Sequence, residues 1–179
     1  MKKLSYTIAI LLFLTASSSS ELLMTRDEAL ERAFPGNTGY EKIDIILNDS
    51  QVEEIEELSR SKLDSKIYIF YEFADDYQTL GYAVLDTHLL RTKSETVMFV
   101  IGPDGRLINT EILAFFEPTE YMQSEKWLDI FKNKKLDSEL RIDRDIPNIT
   151  GATITSHAFT ESVRKVLAIY QVAVKEGTN

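Results

Sequence analysis

Thr96-Val97-Met98-Phe99-Val100-Ile101 leads into Gly102-Pro103-Asp104-Gly105, and Arg106 to Phe115 (RLINTEILAF) leads out again. Two β-rich runs flank a Pro-Asp-Gly turn, which predicts a hairpin. Upstream, Ile67 to Phe73 (IYIFYEF) and Leu80 to Leu85 carry the β-branched and aromatic residues of two more strands. Tyr40 to Leu47 (YEKIDIIL) alternates for part of its length and predicts another. Around these strands lie helical signals. Thr25 with Glu28 has the form of a capping box and opens a helix to Phe34, which Pro35, Gly36 and Gly39 end. Ser50 with Glu53 has the same form and predicts a second helix near 50–61. Tyr121 to Lys132 predicts a third, with Trp127, Leu128 and Phe131 on one side. Lys134 to Pro147 is polar and predicts a loop. The last element, about Ser156 to Val174, places Phe159, Val163, Val166, Leu167, Tyr170 and Val174 on one helical face. The expected fold class is α+β: one domain with a mainly antiparallel sheet and flanking helices.

The N-terminus has the pattern of an export signal. Lys2 and Lys3 precede the apolar run Ile8 to Leu14, and Thr15, Ala16 and four serines follow. That run is too short to span a bilayer, which takes about 20 residues. The expected organisation is a signal peptide over 1–18, N-terminal helices and first strands over 19–78, and a core over 79–174. The mature chain is expected outside the cytoplasm, periplasmic or on the outer face of the cytoplasmic membrane. Cleavage between Ala16 and Ser20 removes Lys2 and Lys3 and takes the net charge from −9 to −11. An uncleaved N-terminal anchor is the alternative.

Composition narrows the chemistry. The 179 residues hold 20 basic and 29 acidic side chains, and such an acidic chain is ill suited to nucleic acid. There is no cysteine, which removes disulfides, thiolate metal sites, iron–sulfur clusters and cysteine nucleophiles. The two histidines, His88 and His157, are not spaced as metal ligands, so no metal is expected. No nucleophile elbow and no Gly-x-Gly-x-x-Gly string occur, so neither a hydrolase nor a nicotinamide site is supported. Any redox group must come from outside the twenty side chains.

Thr150-Gly151-Ala152-Thr153-Ile154-Thr155-Ser156 stands directly before the final helix. Gly151 and Ala152 allow close approach to the backbone, and a helix start offers free N–H groups that suit a phosphate. The plain reading is a helix cap preceded by a turn. Residue types and spacing alone leave both readings open.

The string TGATITS resembles the flavinylation motif of the FMN-binding domain family, in which Ser or Thr, Gly, Ala, Thr or Ser, any residue and a final Thr or Ser follow one another. Members include the periplasmic flavin subunits of the sodium-pumping NADH:quinone oxidoreductase and Rnf complexes. The resemblance implies FMN joined through its phosphate to Thr155, installed by a flavin transferase that uses FAD and magnesium. Thr150, Gly151, Ala152 and Thr153 fill the motif's other set positions, and Ile154 fills its open one. The likeness continues through Glu117-Pro118-Thr119-Glu120-Tyr121, Trp127-Leu128 and Phe131, and Val163-Arg164, and covers about Thr79 to Tyr170. It implies that Glu117 and Tyr121 lie near the flavin ring; a solvated acid and a core tyrosine are the alternative. The family often has aspartate three residues before the leading Ser or Thr, where this chain has Pro147, with Asp145 two residues earlier.

Trp127 is expected in the core, His88 to be structural, and His157 to be incidental despite its place beside Thr155. The implied function is an exported electron carrier that relays electrons between a membrane donor and an acceptor. Its partners would be the transferase and a membrane-bound or exported redox protein. The rival is a non-redox binding or structural module in which TGATITS only caps a helix.

Overall fold

The computed structural model describes residues 21–175, apart from Thr38 and residues 137–139. The expected signal peptide lies outside the described residues. Six strands form one antiparallel sheet: β1 (Glu21–Leu22), β2 (Glu41–Ile46), β3 (Ile67–Ala74), β4 (Thr79–Leu89), β5 (Ser94–Ile101) and β6 (Leu107–Phe115), in the order β1-β6-β5-β4-β3-β2. Strands β2 to β6 run as a meander, and the short β1 adds to the far side of β6. The four α-helices are α1 (Arg26–Ala33), α2 (Asp49–Ser59), α3 (Glu125–Leu128) and α4 (Thr153–Ile169). The fold is α+β, as the hairpin and its flanking runs imply.

Register explains why the sheet is covered on both faces. Ile43, Phe70, Val84 and Phe99 stand opposite one another across β2 to β5. They belong to the larger core, with Phe131, Phe159, Val163 and Leu167. The alternate residues Tyr71, Ala83, Met98 and Val100 point the other way and pack with Ala29 and Leu30 of α1. The Gly102–Gly105 turn then docks on the C-terminal end of the last helix. Gly105 has φ +82, and an added Cβ would stand 3.2 Å from the Tyr170 ring. The Tyr170 hydroxyl donates to the Pro103 carbonyl at 2.9 Å.

Several boundaries differ from the sequence reading. Thr25 and Glu28 do form a capping box. The second box is made by Asn48 and Gln51, not Ser50 and Glu53. Asn48 is extended, its Oδ1 accepts the Gln51 N–H at 2.9 Å, and Ser50 already lies inside the first turn. β4 continues to Leu89, four residues past the expected Leu85. The expected helix over Tyr121–Lys132 is three short pieces: 3₁₀ turns at Thr119–Tyr121 and Asp129–Phe131, with α3 between them. Extended Ser124 interrupts it and accepts the Trp127 N–H at 3.3 Å, which restarts the helix at Glu125.

α4 is buried on more than its apolar face. Ser156, Thr160, Ser162, Arg164 and Lys165 are all under 7% exposed. α4 packs on both β4 and α2, and α2 has no basic residue in its own last turn. Arg164 supplies that cation: its Nε donates to Ser59 O at 2.8 Å and its Nη2 to Leu58 O at 2.7 Å.

Candidate functional site

The chain reaches α4 through a segment that is tied down twice. The Trp127 indole N–H donates to the Pro147 carbonyl at 2.7 Å. Trp127 itself is set by the core: its ring centroid lies 5.1 Å from Phe131 and 5.4 Å from Phe159. The Ile149 N–H donates to Ser156 Oγ at 3.0 Å, and that hydroxyl donates to Ala152 O at 3.1 Å. Ala152 N–H returns to Ile149 O at 2.9 Å, closing a turn in which Gly151 takes φ +84. Trp127 therefore lies in the core, as its place on the apolar side of its helix implies, and it also positions the approach to the motif.

α4 begins at Thr153, with Ala152 in the N-cap position and no side-chain hydrogen bond at the cap. None of the motif's hydroxyls performs the capping that the plain reading required. Thr150, Gly151 and Thr153 are exposed, and Ile154 is 52% exposed. Thr155, the third helical residue, is fully buried, and its Oγ1 has no hydrogen-bond partner. A buried hydroxyl without a partner costs about 1–3 kcal/mol, so folds rarely keep one without use. The N–H groups of the first turn also lack intrahelical acceptors. An added Cβ at Gly151 would meet nothing within 4 Å, so there is open space beside the backbone there. A hydroxyl, free N–H groups and open space fit the phosphate end of a flavin nucleotide.

Glu117 and Tyr121 both meet the turn between β4 and β5. Glu117 is 4% exposed, and its Oε1 accepts the Thr92 N–H at 2.6 Å, the Lys93 N–H at 2.9 Å and the Thr92 hydroxyl at 3.1 Å. These bonds, the Thr92 N–H foremost, hold its carboxyl below the usual range. The Arg91 guanidinium stands 4.9 Å over the Tyr121 ring. Both residues thus brace one turn. His157 is exposed and borders a pocket with Arg60, Arg141, Thr160, Glu161 and Arg164. A larger cleft of about 390 Å³, walled by Asn109, Glu111, Met122, Gln123, Asp129 and Lys132, includes no motif residue.

Sequence reasoning missed a buried ionic cluster. Asp86 and His88 point inward from β4, Glu95 from β5, and Ser162 and Lys165 from α4. His88 Nδ1 lies 3.1 Å from Asp86 Oδ2; its Nε2 lies 3.2 Å from Glu95 Oε2, an ion-pair distance outside hydrogen-bond geometry. Lys165 Nζ pairs with Asp86 Oδ1 at 2.8 Å, and the Ser162 hydroxyl donates to Asp86 Oδ2. Gln123 Nε2 donates to Glu95 Oε2 at 3.0 Å. Burial pushes the His88 imidazole down, but the bond to Asp86 and the close carboxylates of Asp86 and Glu95 outweigh it and raise its pKa to about 9. Burial likewise pushes Asp86 up, and His88, Lys165 and Ser162 together bring it down to about 2. The available signal was the run Tyr82, Val84, Asp86, His88, polar at the last two of four inward positions. The structural reading of His88 agrees with this placement.

Among the described residues, no group of three or more His, Cys, Asp or Glu side chains is placed to hold a metal ion. No helix among them is long and apolar enough to cross a membrane. The sequence model of the FMN-binding domain family matches residues 64–168. The chain belongs to that family, and it is an FMN-binding protein. The match starts ahead of Thr79, where the motif-by-motif likeness begins, and takes in β3. No curated protein matches the chain.

Proposed function

We propose that this protein is an exported electron carrier whose FMN is joined as a phosphoester to Thr155 Oγ1. The observation that carries the reading is the buried, unpartnered hydroxyl of Thr155 at the last position of Thr150-Gly151-Ala152-Thr153-Ile154-Thr155. Bound FMN supplies one- and two-electron chemistry that no side chain here offers. The residues would supply attachment: Thr155 would give the ester oxygen, and the first-turn N–H groups of α4 would hold the phosphate charge. In attachment from FAD, the Thr155 oxygen bonds to the FMN phosphorus and the pyrophosphate P–O bond breaks. AMP leaves, and the hydroxyl proton passes to a base of the transferase.

Covalent linkage suits a protein outside the cell, where a released nucleotide would be lost by diffusion. The acidic mature chain, at −11 after loss of Lys2 and Lys3, favours transient docking on a basic redox partner at the membrane. The test is co-expression with a flavin transferase, denaturation and peptide mass mapping. The adduct is expected on Thr155 in the native sequence and in Thr153→Ala. It should be absent from Thr155→Ala and partly kept in Thr155→Ser. An adduct persisting in folded Thr155→Ala overturns the assignment. For export, the mature N-terminus is expected between Ser17 and Glu21.

A further inference from the structure

A hydroxyl that must meet a phosphorus in another enzyme's active site has to reach solvent, yet Thr155 is 0% exposed. What closes over it can be traced from the two ties on the preceding segment. Phe159 lies one turn beyond Thr155 on the same face of α4, and Trp127 packs on Phe159. Pro147, held by Trp127, is therefore fixed on the side of the helix that Thr155 faces. Ile149 is fixed on Ser156, the next residue along the first turn. Residues 147–149 are pinned at both ends beside the first turn of α4.

Asn148, between the pins, carries the second unpaired atom of this region: its Oδ1 is buried without a partner, like Thr155 Oγ1. Closure thus strands two polar groups, and opening returns both to water. The two pins are unequal. Trp127 is 7% exposed and locked between Phe131 and Phe159, whereas Ile149 is held by two hydrogen bonds, its N–H on the Ser156 hydroxyl and its carbonyl on the Ala152 N–H within the exposed turn, and only the first of these is made by a side chain. Past that end the chain has room to swing, with Thr150 and Gly151 exposed and open space beside Gly151.

We propose that residues 147–149 form a strap over the Thr155 hydroxyl and that Ser156 is its latch, a positioning residue whose release from Ile149 admits the flavin donor. The proposal rests on the reading of Thr155 as acceptor. It makes attachment to the folded protein limited by strap opening.

The experiment follows adduct formation over time by intact mass, using purified unmodified protein, FAD, magnesium and a flavin transferase. Ser156→Ala is expected to raise the initial rate about fivefold, the factor that one hydrogen bond of ordinary net strength represents. Ser156→Thr, which keeps a hydroxyl, is expected to return the rate toward the native value. Amide exchange of Ile149 in unmodified protein is expected to quicken by a similar factor in Ser156→Ala, while the amides of β4 and β5 keep their protection. That last readout shows that the variant is folded. A rate unchanged or lowered in folded Ser156→Ala overturns the strap and leaves Thr155 as acceptor. Unchanged Ile149 exchange overturns the latch. No adduct on any of the three proteins, with a transferase active on another target, removes the acceptor reading and the strap with it.

Discussion

Thr155 and Ser162 are both hydroxyl residues of α4, two turns apart on the same stripe of the helix, and both are buried. Ser162 donates to Asp86 and joins a cluster in which two carboxylates face His88 and Lys165. The Thr155 hydroxyl has no hydrogen-bond partner. The fold therefore has the means to satisfy a buried hydroxyl on this face, and it does so at one position and not at the other. Buried polar groups are almost always paired when their role is packing. The unpaired one lies at the end of a family motif, and the paired one lies where β4, β5 and α4 must be held together.

The sharpest attack on the paired region removes Lys165. Its Nζ sits 2.8 Å from Asp86 Oδ1, with both side chains 7% exposed. Lys165→Met keeps the apolar stem and leaves a buried carboxylate short of its cation, a loss of about 3–5 kcal/mol. Urea unfolding of the unmodified protein measures it. A loss below about 1 kcal/mol would mean that water reaches Asp86 and that the two regions differ less than the burial implies.

A smaller effect is expected from pH. The His88 pKa is raised from 6.5 to about 9, so His88 binds its proton more tightly in the folded state. Its contribution is full below about pH 6.5 and is lost as pH rises through about 9. The shift corresponds to roughly 3 kcal/mol as an upper figure. Asp86 has the opposite sign. Lowered from 3.8 to about 2, it stabilises above pH 3.8 and is lost as pH falls toward 2. Unfolding free energies across pH 6.5–9 should therefore decline in the native protein and flatten in His88→Gln. An equal slope in both proteins would remove His88 as the titrating group.

The two regions also differ in how far they could be read from sequence. The hairpin announces itself through Pro103-Asp104-Gly105, because turn chemistry is local. The motif around Thr155 is contiguous, so it too is legible, as is the Thr25–Glu28 box. The ionic cluster is not, because it is assembled by register: His88 meets Glu95 only once β4 and β5 pair, and Lys165 joins only once α4 crosses β4. Reading β4 as ending at Leu85 left Asp86 and His88 outside any strand. The second capping box failed for a local reason, since Asn48 competes with Ser50 for the same role and the chain leaves β2 at Leu47. The motif's position was legible while its environment was not. Nothing in TGATITS says that Ala152 takes the cap, or that the Thr155 hydroxyl is buried without a partner.

The smallest expected change in stability tests the comparison from the other side. Thr155→Val keeps the β-branch and nearly the volume, so the backbone preference and the packing of the first turn of α4 are preserved. What it removes is a hydroxyl with no partner, and deleting an unsatisfied buried polar group relieves a desolvation cost. The unmodified variant is expected to match the native protein within about 1 kcal/mol, or to exceed it, while losing the adduct entirely. Thermal or urea unfolding gives the first half and intact mass after incubation with the transferase gives the second. The combination separates use from structure, because a residue kept for packing loses stability when changed, and one kept for chemistry loses only the chemistry. A loss of 2 kcal/mol or more would show that Thr155 has a structural partner after all, placing it with Ser162 and Lys165. The orphaned hydroxyl would then no longer argue for an attachment site.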